Sequence, residues 1–293
     1  MVQRKWLVEI KKSLSLADWA TLLYALSTAI WIIIFFNKVE TPLQKLFIRV
    51  VIASFILALA FLNNHKEIKF IDFLHHGYPI ILLSYWYGET ASLNSVIFVP
   101  FDQVMYNIDY WMFGYQPSLE FSANFSSNWF SEIINFSYFS YYFFNIITFL
   151  LIYFYNKSQA MRAIFIIITS FFIYYWIFIL FPVVGPQFWF PEALRSVPDG
   201  YIFREGVKLV QFIGEKPTGA FPSSHVGMTI VFLILTLQTS KKSFLIMLPV
   251  SIILCFATVY IKAHYFIDVI AGLITGFAFY YFSDYLYKKI NRN

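Results

Sequence analysis

The 293-residue chain is 59% hydrophobic and 22% aromatic, with only 13% charged residues, too little polar surface to close a water-soluble globule of this size. Its formal charge of +5 is scattered between apolar runs, which excludes the basic stripe with interleaved aromatics of a nucleic-acid-binding face and leaves an all-α, polytopic membrane helix bundle as the expected fold class. The single cysteine, Cys255, lies inside an apolar run, and no CxxC or spaced His/Cys set exists, so neither an internal disulfide nor a metal site is expected.

At the N-terminus, Arg4, Lys5, Lys11 and Lys12 precede an apolar stretch in the manner of a secretory signal. No small-residue cleavage site follows Ile32 to Phe36, so a retained first helix is expected. Stretches near the roughly 20 residues needed to cross a bilayer fall at about 18–36, 44–62, 131–155, 161–182, 222–239, 243–261 and 264–286. A weaker eighth lies near 70–90, where Asp72, His75, His76, Gly77 and Pro79 predict a tilted or broken entry. The first two spans form an N-terminal hairpin, residues 1–69, ahead of a six-helix core over 70–293.

Eight crossings place both termini on one side. With the N-terminus inside, 13 of the 21 Lys and Arg residues fall in inner segments and 6 in outer ones, the bias that marks the cytoplasmic side. Two connections are too long to be turns, 91–130 and 183–221, and this count puts both outside. Their aromatic content predicts segments lying in the headgroup layer, and their length predicts a functional role or ordered caps over the bundle.

The chemistry-bearing residues stand where apolar runs begin. Pro222 suits the first turn of a helix, and Ser223 and Ser224 follow it at once. The free N–H groups of such a turn and the positive end of its dipole suit a phosphate, with His225 beside it; the same serines are also ordinary helix caps. His264 and Asp268 are spaced i, i+4 and share one helix face. A carboxylate on one imidazole nitrogen makes the other a better nucleophile; the plainer reading is a structural pair pinning two helix ends. Charge counting brings His225 and His264 to the same outer face. Lys262 offers positive charge to a phosphate there, or snorkels outward as an interfacial lysine.

Gly219-Ala220-Phe221-Pro222-Ser223-Ser224-His225, followed some forty residues later by His264-Tyr265-Phe266-Ile267-Asp268-Val269-Ile270-Ala271-Gly272, resembles the second and third motifs of the type 2 phosphatidic acid phosphatase superfamily, and within it the inositol phosphorylceramide synthase branch. Asp109 to Gly114 and Phe181 to Pro186 resemble that branch's upstream segments, and the likeness covers about 70–286. Ala263 stands where the branch has a further histidine, and neither of the phosphatase branch's customary phosphate-binding arginines is present, Thr258 taking one such position. That leaves the positive clamp unassigned, with Lys262, Lys216, Lys208, Arg204 and Arg195 as the candidates by side and proximity.

The resemblance implies His264 as nucleophile, forming a phosphohistidine, Asp268 as its orienter and His225 as general acid, with Ser223 and Ser224 at the phosphate and neither metal nor cofactor. The function it implies is transfer of a phosphoryl or phospho-headgroup unit, inositol-phosphate-like, from a phospholipid to a lipid alcohol such as ceramide or diacylglycerol, on the extracytoplasmic face of the membrane. A lipid phosphate phosphatase, with water as acceptor, uses the same residues. A non-enzymatic lipid transporter is the rival of a different class.

Overall fold

The computed structural model describes residues 13–65, 68–94 and 96–292; Arg4, Lys5, Lys11, Lys12 and Lys66 of the charge count lie outside them. Among the described residues there are helices and no strands. α1 (Leu16–Ile34), α2 (Pro42–His65) and α3 (Lys69–Asn94) are followed by the short α4 (Asp102–Phe113) and α5 (Pro117–Asn124), then α6 (Asn128–Tyr155) and α7 (Ala160–Leu180). After α8 (Pro186–Trp189) and α9 (Ile202–Gly214) come α10 (Ser224–Thr239), α11 (Lys241–Tyr260) and α12 (Phe266–Asn291).

Six of these, α1, α2, α6, α7, α11 and α12, are long and apolar enough to cross a membrane, and the protein is a polytopic membrane bundle. α7 lies deepest, with 72% of its apolar window buried. The two remaining long elements differ from the expected crossings in instructive ways. α10 has 16 residues, short for a span but walled in by α6, α7, α11 and α12. α3 is a continuous 26-residue helix despite Pro79, and its polar groups are paired inside the protein. Asp18 of α1 accepts from His75 Nε2 at 2.9 Å and from the Tyr78 hydroxyl at 2.5 Å. Arg49 of α2 grips Glu89 through both carboxylate oxygens, at 2.9 and 2.6 Å. Partnered in this way, these groups avoid the cost of isolated charge in an apolar layer.

Contacts at both ends of neighbouring helices fix their directions. α1 meets α3 through Asp18 and His75 at one end and through Trp31 Nε1 and the Leu93 carbonyl at the other. α10 runs beside α12, from the Ser223 N–H bond to the Asp268 carbonyl to the Gln238 bond to the Tyr280 hydroxyl. The chain therefore passes back and forth, and both long connections and the turn before α12 collect at one end. Most described basic residues of the other end, among them Lys157, Arg162, Lys288 and Lys289, lie near the 155–160 and C-terminal segments. No hydrophobic drive sorts helix from helix in lipid, so close approach needs small residues. A Cβ on Gly272 would fall 2.6 Å from the Ser223 carbonyl oxygen and one on Gly276 2.6 Å from that of Gly227. Glycine there lets α10 and α12 touch backbone to backbone, which brings the start of α10 against the start of α12.

The long connections are ordered caps with outward apolar faces. α9 exposes Ile202, Leu209, Phe212 and Ile213 while burying Arg204 and Val207, the pattern of an interfacial helix. Trp111 and Tyr110 of α4 are similarly exposed.

Candidate active site

Three loop segments build the platform. Ala220 N–H bonds to the Val183 carbonyl at 3.1 Å, and Gln187 N–H to the Lys262 carbonyl at 2.8 Å, so residues 183–187 clamp both histidine-bearing turns. Gly185, at φ +91°, would drive a Cβ to 2.8 Å from the Ala263 carbonyl oxygen, and only glycine meets both conditions. Asp102 of α4 accepts from the Val184 and Gly185 N–H groups at 2.9 and 2.8 Å and from the Tyr265 hydroxyl at 3.1 Å. Asp109 accepts from the Phe266 and Ile267 N–H groups at 2.8 and 2.9 Å, a carboxylate on the free donors opening α12. Burial raises both carboxyls above their ordinary range, and these N–H bonds oppose the rise.

The peptide bond before Pro222 is cis, and Pro222 lies ahead of the helix instead of in its first turn. Ser223 is the N-cap of α10, its hydroxyl accepting from Val226 N–H at 3.3 Å, while its own N–H is bonded to the Asp268 carbonyl at 3.0 Å. Capping, the plainer reading of this serine, is what it does. Ser224 opens the helix, and Ser224 and His225 both line the cavity described below.

His225 Nδ1 and His264 Nε2 face each other at 3.1 Å. The two motifs, 39 positions apart in sequence, thus meet at their ring nitrogens. His264 Nδ1 lies 2.7 Å from the Ala220 carbonyl oxygen and 3.5 Å from Asp268 Oδ2. The hydrogen bond expected between His264 and Asp268 is replaced by one to the Ala220 carbonyl, because Asp268 stands at the third position of α12 and its Oδ2 accepts from Tyr265 N–H at 2.8 Å. Asp268 remains at ion-pair distance and fully buried. Burial lowers the His264 imidazole from 6.5 to about 4, with the Ala220 bond opposing. The ring is neutral at pH 7, with its proton on Nδ1 and its lone pair on Nε2.

Lys262 differs from expectation. Its ammonium donates to the Ser118 carbonyl at 2.9 Å and the Ser122 hydroxyl at 2.6 Å of α5, pinning the turn that carries His264. Its backbone is left-handed at φ +67°, an uncommon state for a non-glycine residue. Burial, aided by the charge of Arg204, lowers it to about 8. Arg204 is itself buried, with Nε and Nη1 lacking a hydrogen-bond partner among the described residues. Of the other basic candidates, Lys208 pairs with Glu205 at 2.6 Å, and Arg195 donates to the Phe190 and Phe188 carbonyls.

Sequence reading missed Tyr138 and Glu215. The Tyr138 hydroxyl is 3.1 Å from His225 Nε2 and 2.5 Å from Glu215 Oε1. Glu215 Oε2 accepts from Gln187 Nε2 at 2.5 Å. The spacing of Tyr138, Tyr141 and Tyr142 on one face of α6 was the available signal, since all three rings surround His225. Glu215 sits in a loop with no periodicity to mark it. Beside His225 a cavity of about 220 Å³ opens between α3, α6 and α7, lined by Ser84, Tyr87, Tyr142, Asn145 and Glu215 against Ile80, Leu83 and Phe171. Among the described residues none that lines it is Lys or Arg, and Asn145 Oδ1 is buried without a partner. Among the described residues, no three His, Cys, Asp or Glu side chains converge as a metal-ligand set.

Fold and site together define a polytopic membrane protein built around two facing histidines at the mouth of a helix bundle. The model for the PAP2 superfamily matches residues 108–282. The chain belongs to the PAP2 superfamily, whose members are in general phosphatases and phosphotransferases, and it is an enzyme of that general kind acting on lipids. No curated protein and no solved structure gives a significant match.

Proposed function

We propose that the protein transfers a phosphoryl or phospho-headgroup unit between lipids through a phosphohistidine on His264. The observation that carries this reading is the 3.1 Å meeting of His264 Nε2 and His225 Nδ1, with His264 Nδ1 bonded to a carbonyl that can only accept. In the first half-reaction His264 Nε2 forms a bond to phosphorus as the bond from phosphorus to the leaving oxygen breaks, and His225 Nδ1 gives that oxygen its proton. In the second, an acceptor hydroxyl loses its proton to His225 as its oxygen bonds to phosphorus and the N–P bond breaks. Asp268, 3.5 Å from His264 Nδ1, offsets the positive charge of the phosphorylated ring. Ser223 N–H and Val226 N–H are already committed, so the N–H groups of Ser224 and His225 are the donors assigned to phosphate oxygens. Arg204, with two guanidinium nitrogens unpartnered among the described residues, takes the part left by the missing arginines, and Lys262, held by α5, supports it from the turn before His264.

The cavity favours a transferase that handles an inositol-like headgroup. Its acceptor groups, Glu215 and the unpartnered Asn145 Oδ1, suit a donor-rich polyol, and the absence of lining cations suits an uncharged one. Purified protein in detergent, given labelled phosphatidylinositol with and without ceramide or diacylglycerol, tests the reading. A new phospholipid that requires the added alcohol is expected, and acceptor-independent release of the phosphate or phospho-headgroup would instead establish the hydrolase. Turnover unchanged in His264→Ala would refute both.

A further inference from the structure

Resting on that reading, we infer that Glu215, acting through the Tyr138 hydroxyl, is the charge partner that keeps His225 protonated as the general acid. His264 Nδ1 carries a proton, because the Ala220 carbonyl 2.7 Å away can only accept. His264 Nε2 is then a bare lone pair, and His225 Nδ1, 3.1 Å from it, carries the proton between them. On the other side of His225, two contacts link three heavy atoms: Nε2 to the Tyr138 oxygen at 3.1 Å, and that oxygen to Glu215 Oε1 at 2.5 Å. Each contact holds one proton, and the phenol supplies only one of the two.

The second proton belongs to His225 Nε2 or to Glu215. Gln187 Nε2 donates to Glu215 Oε2 at 2.5 Å, and Gln211 Nε2 approaches it at 3.4 Å, so donors meet Glu215 on both oxygens and the second proton is assigned to His225 Nε2. On this assignment His225 is an imidazolium, with Nε2–H donating to Tyr138 and Tyr138 donating to Glu215, the Glu215 charge opposing the burial that lowers the ring. Other titratable groups around the ring are Tyr141 and Tyr142 of α6, Tyr87 of α3, Tyr175 of α7 and His264; Glu215 is the one carboxylate among the residues lining the cavity. When His225 Nδ1 passes its proton to the leaving oxygen the ring becomes neutral, and the same contact recharges it when the acceptor hydroxyl returns a proton.

Glu215→Gln, Tyr138→Phe and the double variant test this, with kcat/KM followed against pH for alkyl-phosphate lipids and for p-nitrophenyl phosphate. Removing the anion leaves His225 protonated over a narrower range, so the high-pH limb is expected to move down by about one pH unit or more, each unit being a factor of ten. Turnover of the alkyl substrate is expected to fall about 10- to 100-fold, within the range of general acid catalysis, and by more than turnover of the aryl substrate, whose leaving group needs less protonation. The double variant should be no worse than the singles, since the two residues act as one path. Histidine ¹⁵N spectra of the purified protein, which need no turnover, should show His225 as imidazolium at pH 7 in the wild type and neutral in Glu215→Gln. An unmoved limb, or a neutral His225 in the wild type, overturns the inference while leaving His264 as nucleophile; full turnover in His264→Ala overturns the underlying reading and leaves the spectra to judge the charge pair alone.

Discussion

A carbonyl oxygen has no proton to give, so the contact from His264 Nδ1 to Ala220 sets the tautomer of the nucleophile without help from a carboxylate. That tautomer and the burial that lowers His264 to about 4 lead to a pH prediction. The ring is neutral, and able to attack, at every pH above about 4, so the low-pH limb of kcat/KM should lie near pH 4. A limb near the ordinary imidazole value of 6.5 would mean that His264 is not the titrating base. The same shift bears on stability: between pH 6.5 and about 4 the unfolded chain binds the proton that folded His264 refuses, so the fold loses stability as pH falls through that window. At this scale the two histidines were legible because each stands at the head of an apolar run. The Asp268 contact was less so, since i, i+4 spacing on an ideal helix does not reveal that His264 lies before α12 and that Asp268 is drawn to the Tyr265 N–H. Tyr138 was hidden among the many aromatics of α6.

Helix crossings depend on a few positions. The touching backbones of α10 and α12 at Gly276 and Gly227 leave no room for a larger side chain, and both histidine turns hang from that contact. Gly276→Leu should separate the two helix starts and break the 3.1 Å histidine contact. We expect a loss of thermal stability of a few kcal/mol, in the range for overpacking, together with loss of turnover; measuring both on purified protein checks it, and a variant with full stability and activity would show that the crossing is not required. Most helices were legible from apolar length. α3 was the hardest, because Asp72, His75, His76 and Pro79 read as interruptions until their partners on α1, α2 and α6 are known. Arg49 and Glu89 illustrate the point: 40 positions apart, each looks like a cost in an apolar layer, and paired they tie α2 to α3. Removing either partner leaves the other charge buried, a change that costs about 3–5 kcal/mol in such pairs.

For the whole molecule, back-and-forth passage gathers the histidines and both long connections at one end and leaves a string of lysines and arginines at the other. From the charge bias we propose that the histidine end faces the extracytoplasmic side. A cysteine introduced at position 216 should react with an impermeant reagent added outside intact cells; labelling from the inside alone would reverse the orientation. The overall plan was readable because span length and charge bias act locally along the chain. The site was only half readable, because its clamps, Asp102, Asp109 and Gly185, act between segments that no local pattern connects. The central claim is that phosphorus passes through His264. Its most direct test is to quench the protein in alkali during turnover of a lipid carrying ³²P in its headgroup phosphate and to locate the bound label. We expect an alkali-stable, acid-labile adduct on His264 that is absent from His264→Ala; label on another residue, or undiminished turnover in His264→Ala, would contradict the account.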